Sequence, residues 1–293
     1  MTIPSNLGAR LLGTPFVKMT GSGNDFVFFD GRQADSELLT SPEVIQAICN
    51  RHNGIGADGI VILEPVEGRS AGDEIHWRSA RIHYFNSDGT PADLCGNATL
   101  CSTVMSVELG MTLGDGMALQ TPSGEILSRL VDGEPELRLQ PVTRVEATMD
   151  IALEPSEQRV GFAIAGIPHL VVLCQNAELI NVAERGPLLR RHPATGETGA
   201  NVNWVSEMTS EGGWRYRTFE RGVEGETLAC GTGAVATAVL LATWGLAASP
   251  IRIRASSGRD LTVALTRSGD TWIPTLRGEG RVVFRGQIGD IFG

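Results

Sequence analysis

The sequence predicts an α+β fold of two pseudo-symmetric domains, each a strongly curved, mostly antiparallel sheet around one central helix. Three observations predict it. Residues 84–110, YFNSDGTPADLCGNATLCSTVMSVELG, and 218–245, TFERGVEGETLACGTGAVATAVLLATWG, both run from an aromatic-containing strand through a polar glycine loop into Cys-Gly and a helix-like run. Gly110 stands fifteen residues after Cys95, and Gly245 fifteen after Cys230, so the two helices match in length. The offsets hold further out: Phe85 and Phe219 precede the cysteines by 10 and 11 residues, and Gly124 and Gly258 follow by 29 and 28, each leading into alternating residues of strand type.

The elements follow in order. The opening MTIPSNLGARLLGTPFVK lacks a basic start, an apolar block and a small-residue cleavage site, and reads as a short cytoplasmic extension. GSGNDFVFF (21–29) is an early strand answered by AGIPHLVVL (165–173), and GADGIVIL (56–63) is answered by GANVNWV (199–205). Between them, GRQADSELLTSPEVIQAICNRH reads as a loop and a shorter surface helix, capped near Ser41 with Pro42 in its first turn. The first central helix shows Leu100, Val104, Val107 and Leu109, the second is apolar nearly all round, and Gly110 and Gly245 are the expected stops. The domain boundary is placed so that 1–140 form the first half, with 279–293 able to pack back on it, and 141–293 the second, the active site lying in the cleft between them.

Composition removes several function classes. Net charge is −10 with only 24 Lys and Arg and no basic run, which gives a nucleic-acid backbone little electrostatic support, and no nucleic-acid partner is expected. The longest apolar run, 234–248, is broken by Thr237, Thr243 and Gly245 and is shorter than the roughly 20 residues of a membrane span. Five cysteines, an odd number with no CxxC pair, argue against a disulfide framework and against a metal site. Lys18 is the one lysine, so a GxxxxGK phosphate loop is excluded, and a pyridoxal Schiff base would have to form there; no cofactor is expected.

What remains is cysteine chemistry. Asn97 and Thr232, good N-cap types, follow Cys95 and Cys230 by two residues, which sets both thiols at a helix mouth. Unpaired amides and the positive end of the helix dipole there favour a thiolate, drawing its pKa from about 8.5 toward neutrality, and can also hold a carboxylate. Two such mouths on opposite sides of a carbon could invert it without redox chemistry: a thiolate removes a proton from one face and a thiol returns one to the other. Cys49, Cys101 and Cys174 lie within apolar segments and are assigned to the core, and oxidation could join Cys95 to Cys230. Read without further context, His169 is a satisfied core or loop histidine, Glu220 with Arg221 a surface ion pair, and His52, His76, His83 and His192 structural or solvated.

GSGNDF, RHNGIGADG, YFNSDGTPADLCGN, PHLVV, GANVNWV and FERGVEGETLACGTG occur in the order found in diaminopimelate epimerase, and the resemblance runs from Phe16 almost to the C-terminus. It implies the fold of that family, a cytoplasmic homodimer, and a pyridoxal-phosphate-independent isomerase of lysine biosynthesis that converts LL- to meso-diaminopimelate. It further implies that Cys95 and Cys230 are the catalytic pair and that His169 and Glu220 tune them. Gly96, Asn97, Gly231 and Thr232 would hold the reacting carboxylate. Asn24, Asn86, Asn201, Glu220 and Arg221 would bind substrate, the last four at its far amino-acid end.

Three residues depart from the family pattern. Ile167 replaces an asparagine before Pro-His, Leu100 stands where a charge is usual, and Gly59 sits where some members have glutamine. The first bears on specificity, because an apolar wall in place of a hydrogen-bonding group changes what a site accepts. Racemisation of another polar amino acid, such as histidine, is therefore the alternative activity. A ligand-binding homologue without turnover is the alternative of another class.

Overall fold

The computed structural model describes residues 7–66, 78–92, 95–209 and 211–291. The chain divides into two compact units, Met1–Leu137 with Glu279–Gly293, and Arg138–Gly278.

In the first unit, α1 (Leu7–Leu11) precedes β1 (Pro15–Gly21) and β2 (Asn24–Asp30); α2 (Ser36–Leu39) and α3 (Pro42–Cys49) lead to β3 (Gly59–Val66) and β4 (Arg78–Asn86). The central helix α4 (Gly96–Glu108) is followed by β5 (Met117–Thr121), β6 (Gly124–Val131) and β7 (Glu134–Arg138). The pairing along the sheet is β1 antiparallel to β2, β2 parallel to β3, β3 antiparallel to β4, β4 parallel to β5 and β5 antiparallel to β6. The returning strand Arg281–Gln287 pairs antiparallel with β1.

The second unit repeats that order. After β8 (Val145–Glu146) come β9 (Glu157–Ala165), β10 (Ile167–Cys174), α5 (Val182–Arg190), β11 (Asn201–Glu207), β12 (Trp214–Glu220) and β13 (Gly225–Thr227). Then α6 (Gly231–Thr243) leads to β14 (Ile251–Arg254), β15 (Asp260–Ser268) and β16 (Thr271–Arg277). The pairings β9–β10, β10–β11, β11–β12, β12–β14 and β14–β15 alternate antiparallel and parallel just as their counterparts do. The sheets are thus mixed. A parallel pair needs a crossover, and α4 and α6 supply it for β4–β5 and β12–β14.

Strand alternation explains why each sheet is covered on both faces. Phe26 and Phe28 of β2, with Val61 and Leu63 of β3, pack with Ala98, Cys101 and Met105 of α4. The intervening Val27, Phe29, Ile60 and Ile62 pack with Val44, Ile45 and Ile48 of α3. In the second unit Val171 and Val205 join α6, and Leu170, Val172, Val202 and Trp204 form a separate core with Val182 and Leu189 of α5. The segment expected as a surface helix, α3, is therefore the second layer of its sheet. It does start at Ser41 with Pro42 in the first turn.

Both central helices end as the glycines predict. Gly110 and Gly245 have φ of 67° and 72°. Their amides bond to Val107 O and Ala242 O, and the next amides, of Met111 and Leu246, reach back to Ser106 O and Leu241 O. These are paired 5→2 and 6→1 bonds in which a residue with a Cβ would be strained. Among the described residues no helix is long and apolar enough to cross a membrane.

Candidate active site

Each unit presents one cysteine at the head of its central helix. The helices are of equal length, 13 residues, and their N-caps are Cys95 (φ −132°, ψ 115°) and Cys230 (φ −133°, ψ 109°). This corrects the expected cap positions: Asn97 and Thr232 lie one residue inside the helix, because Gly96 and Gly231 already take helical geometry. The cysteines therefore hold the cap positions that face the unpaired first-turn amides.

In the first unit Cys95 is half-buried and its carbonyl accepts the Thr99 hydroxyl at 2.9 Å. Asn97 is 4% exposed, and its Nδ2 donates to Asn24 Oδ1 at 2.6 Å. Asn24 in turn donates to Asp58 Oδ2 at 2.9 Å. Arg51 bonds both Asp58 and Asp25, and the buried Lys18 pairs with Asp25 at 2.8 Å. Burial alone would raise the Asp25 pKa, but hydrogen bonds from Arg51 and Lys18 outweigh it and hold the carboxyl at about 2. A charged lattice thus anchors the two asparagines, leaving the buried Asn97 Oδ1 without a protein partner. Asn86 stands apart: its Nδ2 donates to Thr90 Oγ1 at 3.0 Å within the β4 turn.

Gly21 allows the helix mouth to approach β1. A Cβ there would lie 2.7 Å from Asn97 O and 2.9 Å from Cys101 Sγ. Gly233 does the same in the second unit, where a Cβ would lie 2.4 Å from Asn203 Oδ1.

In the second unit Cys230 is buried, and the Glu220 carboxylate stands close enough for its charge to act on the thiol. Thr232 Oγ1 lies 3.5 Å and Asn201 Nδ2 3.9 Å from its sulfur. The Tyr216 hydroxyl accepts the Cys230 amide at 2.8 Å and donates to the Cys230 carbonyl at 2.9 Å. Asn201 Oδ1 accepts the amide of Arg221. Glu220 also accepts a short hydrogen bond from Thr227, and among the described ion pairs none joins it to Arg221, so the surface-pair reading is replaced by a carboxylate aimed at the thiol.

Electrostatics overturn one expectation. The Cys230 thiol is pushed up to about 12 by burial first, then by the Glu220 charge, which together exceed the opposing pull of the Thr232 hydroxyl and the Gly233 amide. A helix N-terminus contributes only a modest bias, and here desolvation outweighs it. Cys49 and Cys174 are likewise raised to about 12, chiefly by burial, and Cys101 is raised from the same cause, in keeping with core packing.

His169 is fully buried, and burial, with the Arg221 charge behind it, lowers its pKa to about 3. It is neutral. The Asn203 amide donates to Leu170 O at 2.9 Å and faces His169 Nδ1 at 3.2 Å, so Nδ1 accepts and the proton sits on Nε2. That Nε2 has no protein partner. His169 is a core histidine, as its bare context suggested, yet with one unused donor.

Of the remaining histidines, His83 bonds Glu64 at 3.1 Å and His192 caps the turn at Ala194, whereas His76 lies outside the described residues, as do Asp93 and Leu94 of the motif before Cys95. Leu100 is fully buried in α4, and Ile167 is half-buried at the start of β10. Tyr84, Tyr216, Asn203 and Asp58 were not singled out as site residues. The one cue for the tyrosines was that the chain has only these two, Tyr84 in the strand before α4 and Tyr216 one short strand further back from α6.

The diaminopimelate epimerase family profile matches residues 16–145 and 162–283. A diaminopimelate epimerase of Gemmatimonas aurantiaca is 60% identical over 93% of this chain and 98% of its own, and one of Aquifex aeolicus 32% identical over 94% and 98%. Among solved structures, a Bacillus anthracis phenazine biosynthesis protein of the PhzF family shares 16% identity with a TM-score of 0.68, covering 94% of this chain and 98% of that one. A hydroxyproline epimerase from Agrobacterium vitis, with bound trans-4-OH-L-proline, shares 19% with a TM-score of 0.61, covering 94% and 92%. Those two likenesses concern the fold, whereas the profile and the curated relatives concern descent: the chain belongs to the diaminopimelate epimerase family.

Proposed function

We propose that this isomerase is a pyridoxal-phosphate-independent epimerase that converts LL- to meso-diaminopimelate, with Cys95 and Cys230 as its two acid-base groups. The observation that carries the reading is the pair of cysteines at the N-cap of equal helices in two units of the same strand order. One thiolate takes the α-proton while the other thiol supplies a proton to the opposite face, so no redox change is needed. Helix-mouth amides, Asn97 and Thr232 would hold the reacting carboxylate and the charge that builds on it.

The far end of the substrate suits Asn86, Asn201, Glu220 and Arg221, and no ion pair among the described residues involves the Arg221 guanidinium. A guanidinium fork is the group of choice for a distal carboxylate. The names of the curated relatives support diaminopimelate as substrate, and the family likeness supports a cytoplasmic homodimer. Ile167 favours a second reading, racemisation of another polar amino acid, because it sets an apolar side chain where the family has an amide.

Deuterium incorporation at the α-carbon, followed over a panel of amino acids in heavy water, tests the proposal. Wild-type protein is expected to exchange and epimerise diaminopimelate, with epimerisation lost in Cys95→Ala and in Cys230→Ala. Exchange confined to another amino acid transfers the reading to racemisation. Absence of exchange with every compound leaves only ligand binding.

A further inference from the structure

The side chain of Tyr84 occupies the space that a residue larger than glycine would claim at position 59. A Cβ on Gly59 would lie 2.8 Å from Tyr84 Cε2 and 3.2 Å from its hydroxyl. The ring is held edge-on to Phe26, with centroids 5.8 Å apart. So fixed, Tyr84 lines a pocket of about 10 Å³ together with Cys95, Ala98 and Thr99, and its hydroxyl comes within hydrogen-bonding reach of the Cys95 side chain.

The two thiols therefore have opposite kinds of partner. A carboxylate only accepts, so Glu220 requires the proton to stay on Cys230. A buried phenol is a donor, and a donor aimed at sulfur favours the thiolate. We propose that Tyr84 is a positioning residue that donates to Cys95 and makes it the resting thiolate, so that the unliganded protein holds Cys95 as base and Cys230 as acid.

Supporting this, the Tyr84 phenol is raised, by burial first and then by the Cys95 charge. It therefore keeps its proton while the sulfur ionises. The other titratable groups near it act as fixed background. Cys49 and Cys101 are buried thiols, and Asp58 is neutralised by Arg51. The inference rests on the two-cysteine reading only for its catalytic consequence; the protonation state can be measured without turnover.

The test uses the full chain in a Cys230→Ser background, with iodoacetamide alkylation of Cys95 followed by peptide mass spectrometry from pH 5 to 10. Removing one hydrogen bond to the charged form, as Tyr84→Phe does, is expected to raise the alkylation midpoint by about one pH unit and slow the reaction at pH 7 about tenfold. Placing 3-fluorotyrosine at 84, a stronger donor of nearly the same shape, is expected to lower the midpoint and covers the case in which the phenylalanine variant fails to fold. With Cys230 restored, Tyr84→Phe lowers kcat and leaves KM nearly unchanged. Midpoints that stay in place in both variants overturn the proposal. A shifted midpoint in a protein whose Cys95→Ala variant still epimerises would retain Tyr84's role and sink the two-base reading instead.

Discussion

The Tyr216 hydroxyl closes a two-way clasp on the main chain of Cys230, taking its amide at 2.8 Å and giving to its carbonyl at 2.9 Å. The clasp holds the cap residue in extended backbone geometry while the next residue turns into α6. Tyr216 itself is 1% exposed, so no water can replace it from outside.

Tyr216→Phe keeps the ring and leaves the buried Cys230 amide without its partner, while the Cys230 carbonyl keeps the Ala234 amide at 2.9 Å. The expected cost is about 2 kcal/mol, read as a lower urea midpoint, with a fall in turnover because the thiol loses its fixed origin.

Gly233→Ala drives a methyl group into Asn203 Oδ1, 2.4 Å from the ideal Cβ position. Overpacking of this kind costs about 1–3 kcal/mol. Because Asn203 also faces His169 Nδ1, imidazole resonances in a proton–nitrogen spectrum should move in this variant and stay in place in Gly245→Asn, a change at the far end of the helix.

His169 makes stability depend on acid. Its folded pKa, about 3, lies below the ordinary 6.5, so the unfolded chain binds the proton first. Stability is full above pH 6.5 and falls as pH drops through the window down to about 3, with a slope approaching about 1.4 kcal/mol per pH unit. Chemical denaturation between pH 7 and 4 should show this slope, reduced in His169→Gln.

Lys18→Met removes the cation that Asp25 faces from inside. Asp25 keeps Arg51, so the expected loss is about 2 kcal/mol, less than for a pair left wholly unmatched. The variant's carboxyl should titrate above its present value of about 2, measurable by carbon-detected NMR.

The repeat was legible because it is written in local chemistry. A Cys-Gly turn, a helix of 13 residues and a glycine with positive φ leave the same mark wherever they fall, and the C-terminal stop of each helix was readable for that reason. The cap was misplaced by two residues because asparagine and threonine are commoner capping types than cysteine. The thiol acidity failed for another cause. Dipole and amides could be read from order along the chain, but burial of Cys230 comes from sheet packing and the approach of Glu220, which no single segment specifies.

Long-range partners were the least visible. Tyr216 acts 14 residues before its target, and Tyr84 depends on Gly59 of a neighbouring strand leaving room. Helix α5 was also missed; it contains Gly186 and Pro187, an ordinary loop signal, yet Gly186 is required there because a Cβ would lie 2.4 Å from the Phe219 ring.

Since Lys18 is the chain's one lysine and its side chain is 7% exposed, no ε-amine is open to acylating or imine-forming reagents. Guanidinium groups carry the rest of the fixed positive charge, and these do not discharge in alkali as ammonium does. Ester-activated dyes and aldehyde crosslinkers should therefore label the folded side chains poorly, and the cationic part of the surface should keep its strength well above pH 10.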